Sequence, residues 1–147
     1  MPELPRHSLS VAGIVVNTSG DVLVVRRRDN SHWEPPGGVL ELNETFQQGA
    51  QREIREETGI TVDVGPLTGV YKNMERGVVA LVFRCSAIAG SIQLSDETSA
   101  VEWMDPDQAM ARMTPAYAIR VADALQPAQQ IIPRAHNGVR LVDRSQA

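Results

Sequence analysis

The sequence has a single cysteine, Cys85, so no disulfide can close within the chain and no zinc site can be built from several thiolates. Long apolar runs are missing as well. Runs such as Val11 to Val16, interrupted by Gly13, fall far below the roughly 20 residues that a membrane-spanning helix needs. The opening Met1-Pro2-Glu3-Leu4-Pro5-Arg6 has no apolar core of a secretory signal behind it. No repeat or low-complexity tract interrupts the 147 residues, a length that suits one domain with its own core. A soluble cytoplasmic protein with no membrane partner is the expectation.

Positive charge is also in short supply, with 14 basic residues against 18 acidic ones and a net charge of −4. Proteins that bind duplex DNA or RNA usually carry a basic excess, so polymeric nucleic acid is not an expected partner. A small phosphorylated ligand is not excluded, because a bound cation can supply local positive charge. Lys72 is the only lysine. The other basic residues are arginines, which suit bidentate phosphate contacts, although a general compositional bias gives the same excess. No Gly-x4-Gly-Lys-Ser/Thr occurs, which excludes a P-loop.

Alternation of apolar and turn residues predicts strands at Ser8–Asn17 and Val22–Arg27, joined by Thr18-Ser19-Gly20-Asp21 into an antiparallel hairpin. Pro35-Pro36-Gly37-Gly38 can be neither helix nor interior strand. A helix is predicted from about Thr45 to Thr58, stopped by Gly59, with Phe46, Ala50 and Ile54 as its buried stripe. Strands follow at Thr61–Val64, Thr68–Met74, Val78–Ser86 and Val101–Met104, the third apolar enough to be central. Asp105-Pro106 opens one short helix, and Pro115–Leu125 forms another. This order predicts a mixed sheet flanked by helices, an α/β or α+β sandwich.

Residues 1–126 are expected to form the domain, and 127–147 a tail. Within the tail, Pro127-Ala128-Gln129-Gln130 reads as a linker, and Asn137-Gly138 between apolar-leaning segments predicts a β-hairpin with a type I′ turn. Pro133 confines its strand to an edge or a bulge. A lone hairpin is marginal in water, so it is expected to dock either on the domain or on a second subunit, the latter making a homodimer.

The chemistry lies in Gly38-x5-Glu44-x7-Arg52-Glu53-Ile54-x-Glu56-Glu57-x-Gly59-Ile60. Glu53, Glu56 and Glu57 stand at i, i+3 and i+4 and so share one helix face. Each like-charge pair costs roughly 0.2–0.5 kcal/mol. Arg52 and Arg55 can offset one or two of the carboxylates, not all three. A hard divalent cation resolves the conflict and keeps coordination positions for substrate phosphates. Taken alone, three such glutamates more often form a solvated helix face.

The wider pattern resembles the Nudix box, GX5EX7REUXEEXGU with U aliphatic, and matches it at every defined position of the segment Gly38 to Ile60. The resemblance implies an α/β/α sandwich with a mixed central sheet and a metal-dependent hydrolase that cleaves a diphosphate linkage in a nucleoside diphosphate derivative, with Mg2+ as cofactor and Mn2+ as the alternative. It implies Glu56 and Glu57 as metal ligands, Glu53 as ligand or general base, and the carbonyl of Gly37 or Gly38 as a further ligand. Glu44 is then an accessory metal residue, and Arg52 holds a box glutamate in place. Several relatives recruit one more carboxylate shortly before a tryptophan that starts a late strand; Glu97, with Asp96 beside it, precedes Trp103 in that manner. A solvated loop acid is the other reading.

Substrate contacts are less defined. Arg27 or Arg28, and Arg26 beside them, could meet a phosphate or simply block a sheet edge. Trp33 and Tyr71 are candidates for stacking on a base or for packing the interior, and Asn73 completes the candidates. The multi-cysteine zinc site of NADH-cleaving members is impossible here. The proline that follows the box in many ADP-ribose hydrolases is missing, with Arg76 near its place. The corresponding tyrosine of dinucleoside-polyphosphate enzymes and the coenzyme A signature are missing too. A nucleoside triphosphate or a nucleotide sugar remains as substrate. The contrasting reading is a domain that only binds such ligands as a sensor; those usually lose a box glutamate, and none is lost here.

Overall fold

A computed structural model describes residues 3–127 and 130–142. Parts of the tail expectations, at residues 128–129 and 143–147, lie outside the described residues. The elements run β1 (Ser8–Val16), β2 (Val22–Arg27), β3 (Trp33–Glu34), β4 (Gly37–Val39), α1 (Phe46–Thr58), β5 (Ile60–Asn73) and β6 (Val78–Gly90). They continue with β7 (Thr98–Met104), α2 (Pro106–Arg112), α3 (Pro115–Leu125) and β8 (Arg134–His136). The mixed sheet has the order β3-β2-β1-β6-β5-β8, with β4 attached to β1 and β7 to β2. Pairing is parallel for β1 with β6 and for β5 with β8, and antiparallel elsewhere.

Strand periodicity divides the core into two layers. Ala12, Ile14, Val22 and Val24 face α2 and α3, packing with Ala109, Met113 and Val121. Val11, Val15, Leu23 and Val25 point the other way, onto Ala50 and Ile54 of α1. The result is an α/β/α sandwich, the architecture expected from the sequence. β6 lies between β1 and β5, and its side chains feed both layers. No described helix is long and apolar enough to cross a membrane.

Four local expectations are corrected. The β1–β2 hairpin pairs only at Val16 with Val22. Both strands are buried on both faces, so β1 turns to β6 and β4 and β2 to β7 and β3, and the arms part beyond the turn. The two strands expected on either side of Gly65-Pro66 form one strand, β5, whose register slips there as a bulge. Phe46 is 45% exposed rather than part of the buried stripe. Contact between α1 and the sheet begins a turn later at Gly49, where a side chain would strike Leu40.

The fourth concerns the tail turn. Only Gly138 there takes a positive φ, 101°, so the turn is not type I′. Asn137 instead accepts the N–H groups of Val139 and Arg140 on its Oδ1, and a single bridge joins His136 to Leu141. β8 pairs with the edge of β5 from Tyr71 to Asn73. Val139 O accepts the N–H of Ala116, taking over the capping that Thr114 Oγ1 does not provide for α3.

Candidate functional site

The box helix α1 is fixed at both ends by its own sequence. Thr45 and Gln48 form a reciprocal capping box. Gly59 ends the helix at φ 80°, a conformation glycine adopts without strain. Between these stops, the buried stripe of Ala50 and Ile54 sets the rotation of the helix. That rotation turns Glu53, Glu56 and Glu57 toward a cleft of about 890 Å³, whose lining also includes Arg27, Arg28, Gly37, Gly38, Asp96 and Glu97.

Each carboxylate has a different environment. Glu57 is only 8% exposed, and its Oε1 accepts the N–H of Gly37 at 2.8 Å. Burial pushes its pKa up to about 8 against that hydrogen bond, with Glu53, Glu34 and Glu97 adding repulsion. Glu53 is also raised, mainly by burial, while Arg52 pulls it down. Arg52 Nη1 donates to Glu53 at 2.9 Å and to Glu56 at 3.2 Å. Its other nitrogens grip Glu44, Nη2 at 2.8 Å from Oε1, which holds the Glu44 carboxyl down to about 2. Arg52 thus ties the loop before the helix to two of the three clustered glutamates and leaves Glu57 to the backbone.

The glycines belong to the same construction. A Cβ on Gly38 would collide with the Glu53 carboxylate, and one on Gly37 with the Val11 carbonyl of β1. β4 therefore runs directly under the glutamates because two consecutive residues lack side chains. Carboxylate and carbonyl oxygens suit a hard divalent cation, and a desolvated Glu57 beside Glu53 gives one a reason to bind. Among the described residues no three acidic, histidine or cysteine side chains stand close enough for a finished cation cage. The glutamates are instead held by Arg52 and Gly37, donors with which a cation would compete.

The other candidates are distributed unevenly. Glu97 is exposed on the cleft wall. Arg28 lines the cleft but directs Nε to Asp96 O at 3.1 Å and Nη2 to Thr98 O at 2.8 Å, clamping the loop that carries Glu97. Arg27 pairs with Asp29 at 2.7 Å and Glu34 at 3.3 Å. Arg26 donates to Ser99 Oγ at 3.0 Å. Trp33 lies outside the cleft lining and packs against the core with Arg112 over its ring at 5.7 Å. The stacking role considered for Tyr71 is corrected: it is fully buried, and its hydroxyl donates to Asp123 at 2.6 Å. Asn73 lines a second, adjoining hollow, while its Oδ1 accepts the N–H groups of Glu75 and Arg76.

Two further polar residues of that hollow, Arg120 and His136, were not singled out from the sequence. Arg120 carried a readable signal: with Ala116 and Ala124 it forms an i, i+4, i+8 stripe, and a charge on a buried stripe is unusual.

The sandwich thus carries a carboxylate-lined cleft beside the last turns of its box helix, and the comparisons place this arrangement in a known family. A model of the NUDIX domain matches residues 6–125. A MutT-like protein of Streptomyces ambofaciens is 54% identical over 94% of this chain and 89% of its own length. A putative 8-oxo-dGTP diphosphatase of Bacillus subtilis is 31% identical over 80% of each. The crystal structure of a NUDIX hydrolase from Nitrosomonas europaea shares the fold at a TM-score of 0.77 and 22% identity, over 91% of this chain and 82% of that one. The chain belongs to the Nudix family. It is accordingly an enzyme acting on phosphorus-containing anhydrides, in a family that generally uses divalent metal.

Proposed function

We propose that the chain hydrolyses the diphosphate linkage of a nucleoside diphosphate derivative, a nucleoside triphosphate or nucleotide sugar, with Glu53, Glu56 and Glu57 holding a divalent cation. The observation that carries this reading is the convergence of the three glutamates on one cleft whose floor is Gly37-Gly38. Mg2+, or Mn2+ in its place, would neutralise phosphate charge and acidify the attacking water when bound. The gly-gly floor would let a carbonyl reach the same ion.

The residues of the chain supply positioning. Gly37 N–H orients Glu57, and Arg52 orients Glu53 while anchoring Glu44. Glu53, in the same cleft, serves either as a further ligand or as the base that takes a proton from water. Arg27 at the cleft wall is the phosphate contact we favour. Arg28 serves by holding the 95–98 loop, so that Glu97 is available as an accessory carboxylate. The name of the Bacillus subtilis relative supports a triphosphate substrate without deciding it.

The test is a panel of nucleoside triphosphates, dinucleotides and nucleotide sugars incubated with Mg2+, products being read by chromatography. Mg2+-dependent cleavage between phosphates, abolished by chelator, is the expected result. Tight ligand binding without turnover on every compound would contradict it and favour a binding module.

A further inference from the structure

The glutamate cleft opens into the second hollow, of about 580 Å³, and the two share Arg27, Asp29, Gly37, Gly38 and Val39. On its far side stand Tyr117 and Arg120 of α3 and His136 of the tail. Arg120 is 6% exposed and forms no ion pair among the described residues. Its guanidinium is sandwiched at 4.8 Å from the Tyr71 ring and 4.4 Å from the Tyr117 ring. Its Nε donates to Ala116 O at 3.4 Å, and Nη2 faces His136 Nε2 at 3.3 Å.

His136 is 1% exposed, and its Nδ1 accepts the N–H of Gly138 at 3.0 Å. Burial and Arg120 push its pKa down to about 4, so the ring is neutral near pH 7. A neutral imidazole has one acceptor nitrogen and one N–H, and arginine has donors only. With the Gly138 N–H donating to Nδ1, the neutral tautomer that fits carries its hydrogen on Nε2, toward the Arg120 Nη2 donor. Two buried donors thus meet at the wall of the hollow, with no protein acceptor between them among the described residues. Buried donors are stable when paired, so this place suits an oxygen acceptor from a guest. Around the hollow Asp29, Glu34 and Glu75 balance Arg27, Arg76 and Arg120, so no excess of positive charge calls for a phosphate and a neutral carbonyl oxygen fits.

We propose that this hollow receives the nucleobase of the substrate, with Arg120 and the Nε2–H of His136 holding a ring carbonyl oxygen, so that oxo-bases are selected over adenine. The assignment rests on the nucleotide reading above. Adenine presents an amino group where hypoxanthine presents oxygen, which would bring a third donor to the two already there. Rejection by an unpaired buried group is stronger than rejection by a missing methylene.

Inosine and adenosine nucleotides differ at that position, so they make the test. Binding of IMP and AMP to the full chain is measured by calorimetry, and turnover of ITP and ATP with Mg2+ is measured alongside. IMP should bind at least about tenfold more tightly than AMP, with the turnover preference appearing in KM. Arg120→Met should bring the IMP to AMP ratio close to one, and Arg120→Lys should retain part of it. The wild-type ratio needs no variant, so a misfolded Arg120→Met leaves the test intact. Equal binding of IMP and AMP, or binding of neither, overturns the base assignment. Discrimination in binding without turnover of any nucleotide supports the pocket while contradicting the hydrolase reading.

Discussion

At the residue scale, the features of the cleft follow from a conflict between burial and charge. Glu57 has an ordinary value of 4.5 and is raised to about 8 in the fold. The folded chain therefore holds a proton that the unfolded chain has released. Stability from this group is full below 4.5 and declines as pH rises toward about 8. Glu53 shifts in the same direction. His136, depressed to about 4, costs stability only on the acid side, as pH falls below 6.5, so the range above 6.5 isolates the glutamates. In chelator, the wild-type protein should melt at a lower temperature at pH 8.5 than at pH 6.5. Glu57→Gln should flatten that dependence and raise the melting point at pH 8.5 by several degrees. A melting point that rises with pH in chelator would show that Glu57 is not desolvated as described. At the cleft wall, Glu97→Gln should lower kcat by about tenfold if the loop carboxylate assists. An unchanged rate and unchanged metal affinity would return Glu97 to the solvent.

At the scale of elements, the sequence was most legible where a local rule and burial agreed. The Gly59 stop of α1, the Asp105-Pro106 start of α2 and the start of α3 at Pro115 could be read because each depends on a few adjacent residues. Strand partners were less legible: Val22–Arg27 announced a strand, but nothing local says that it leaves β1 for β7 after one pair. Of the cleft, the carboxylates and glycines were visible as spacing. The adjoining hollow was not, since Arg120 and His136 meet only when the tail folds onto α3. The tail is held by β8 on the edge of β5, by the bidentate Arg134–Asp123 pair at 2.8 and 2.9 Å, and by buried His136. Deleting residues 128–147 would leave Arg120 and Asp123 without these partners. The truncated protein should melt roughly 5–10 °C lower, measured by calorimetry. An unchanged melting point would show that the docked strand contributes nothing. Sedimentation of the same pair of proteins would show whether the tail also serves a second subunit.

At the scale of the whole molecule, a net negative chain presents a cleft lined with further carboxylates. Such a cleft repels a polyphosphate unless cations bridge the two. The sandwich supplies the rigidity this requires: α1 is pinned by Ile54 on one face of the sheet, and α3 closes the other face. The adjoining hollow then lies between the sheet and α3, beyond the glutamates. The most direct measurement is steady-state turnover of the best substrate as a function of Mg2+, for the wild-type protein and for Glu57→Gln. Saturable Mg2+ dependence is expected, with kcat at least about 100-fold lower in the variant while its circular dichroism is unchanged. A folded Glu57→Gln protein that turns over at the wild-type rate, with the same Mg2+ dependence, would contradict the assignment of this carboxylate to the metal.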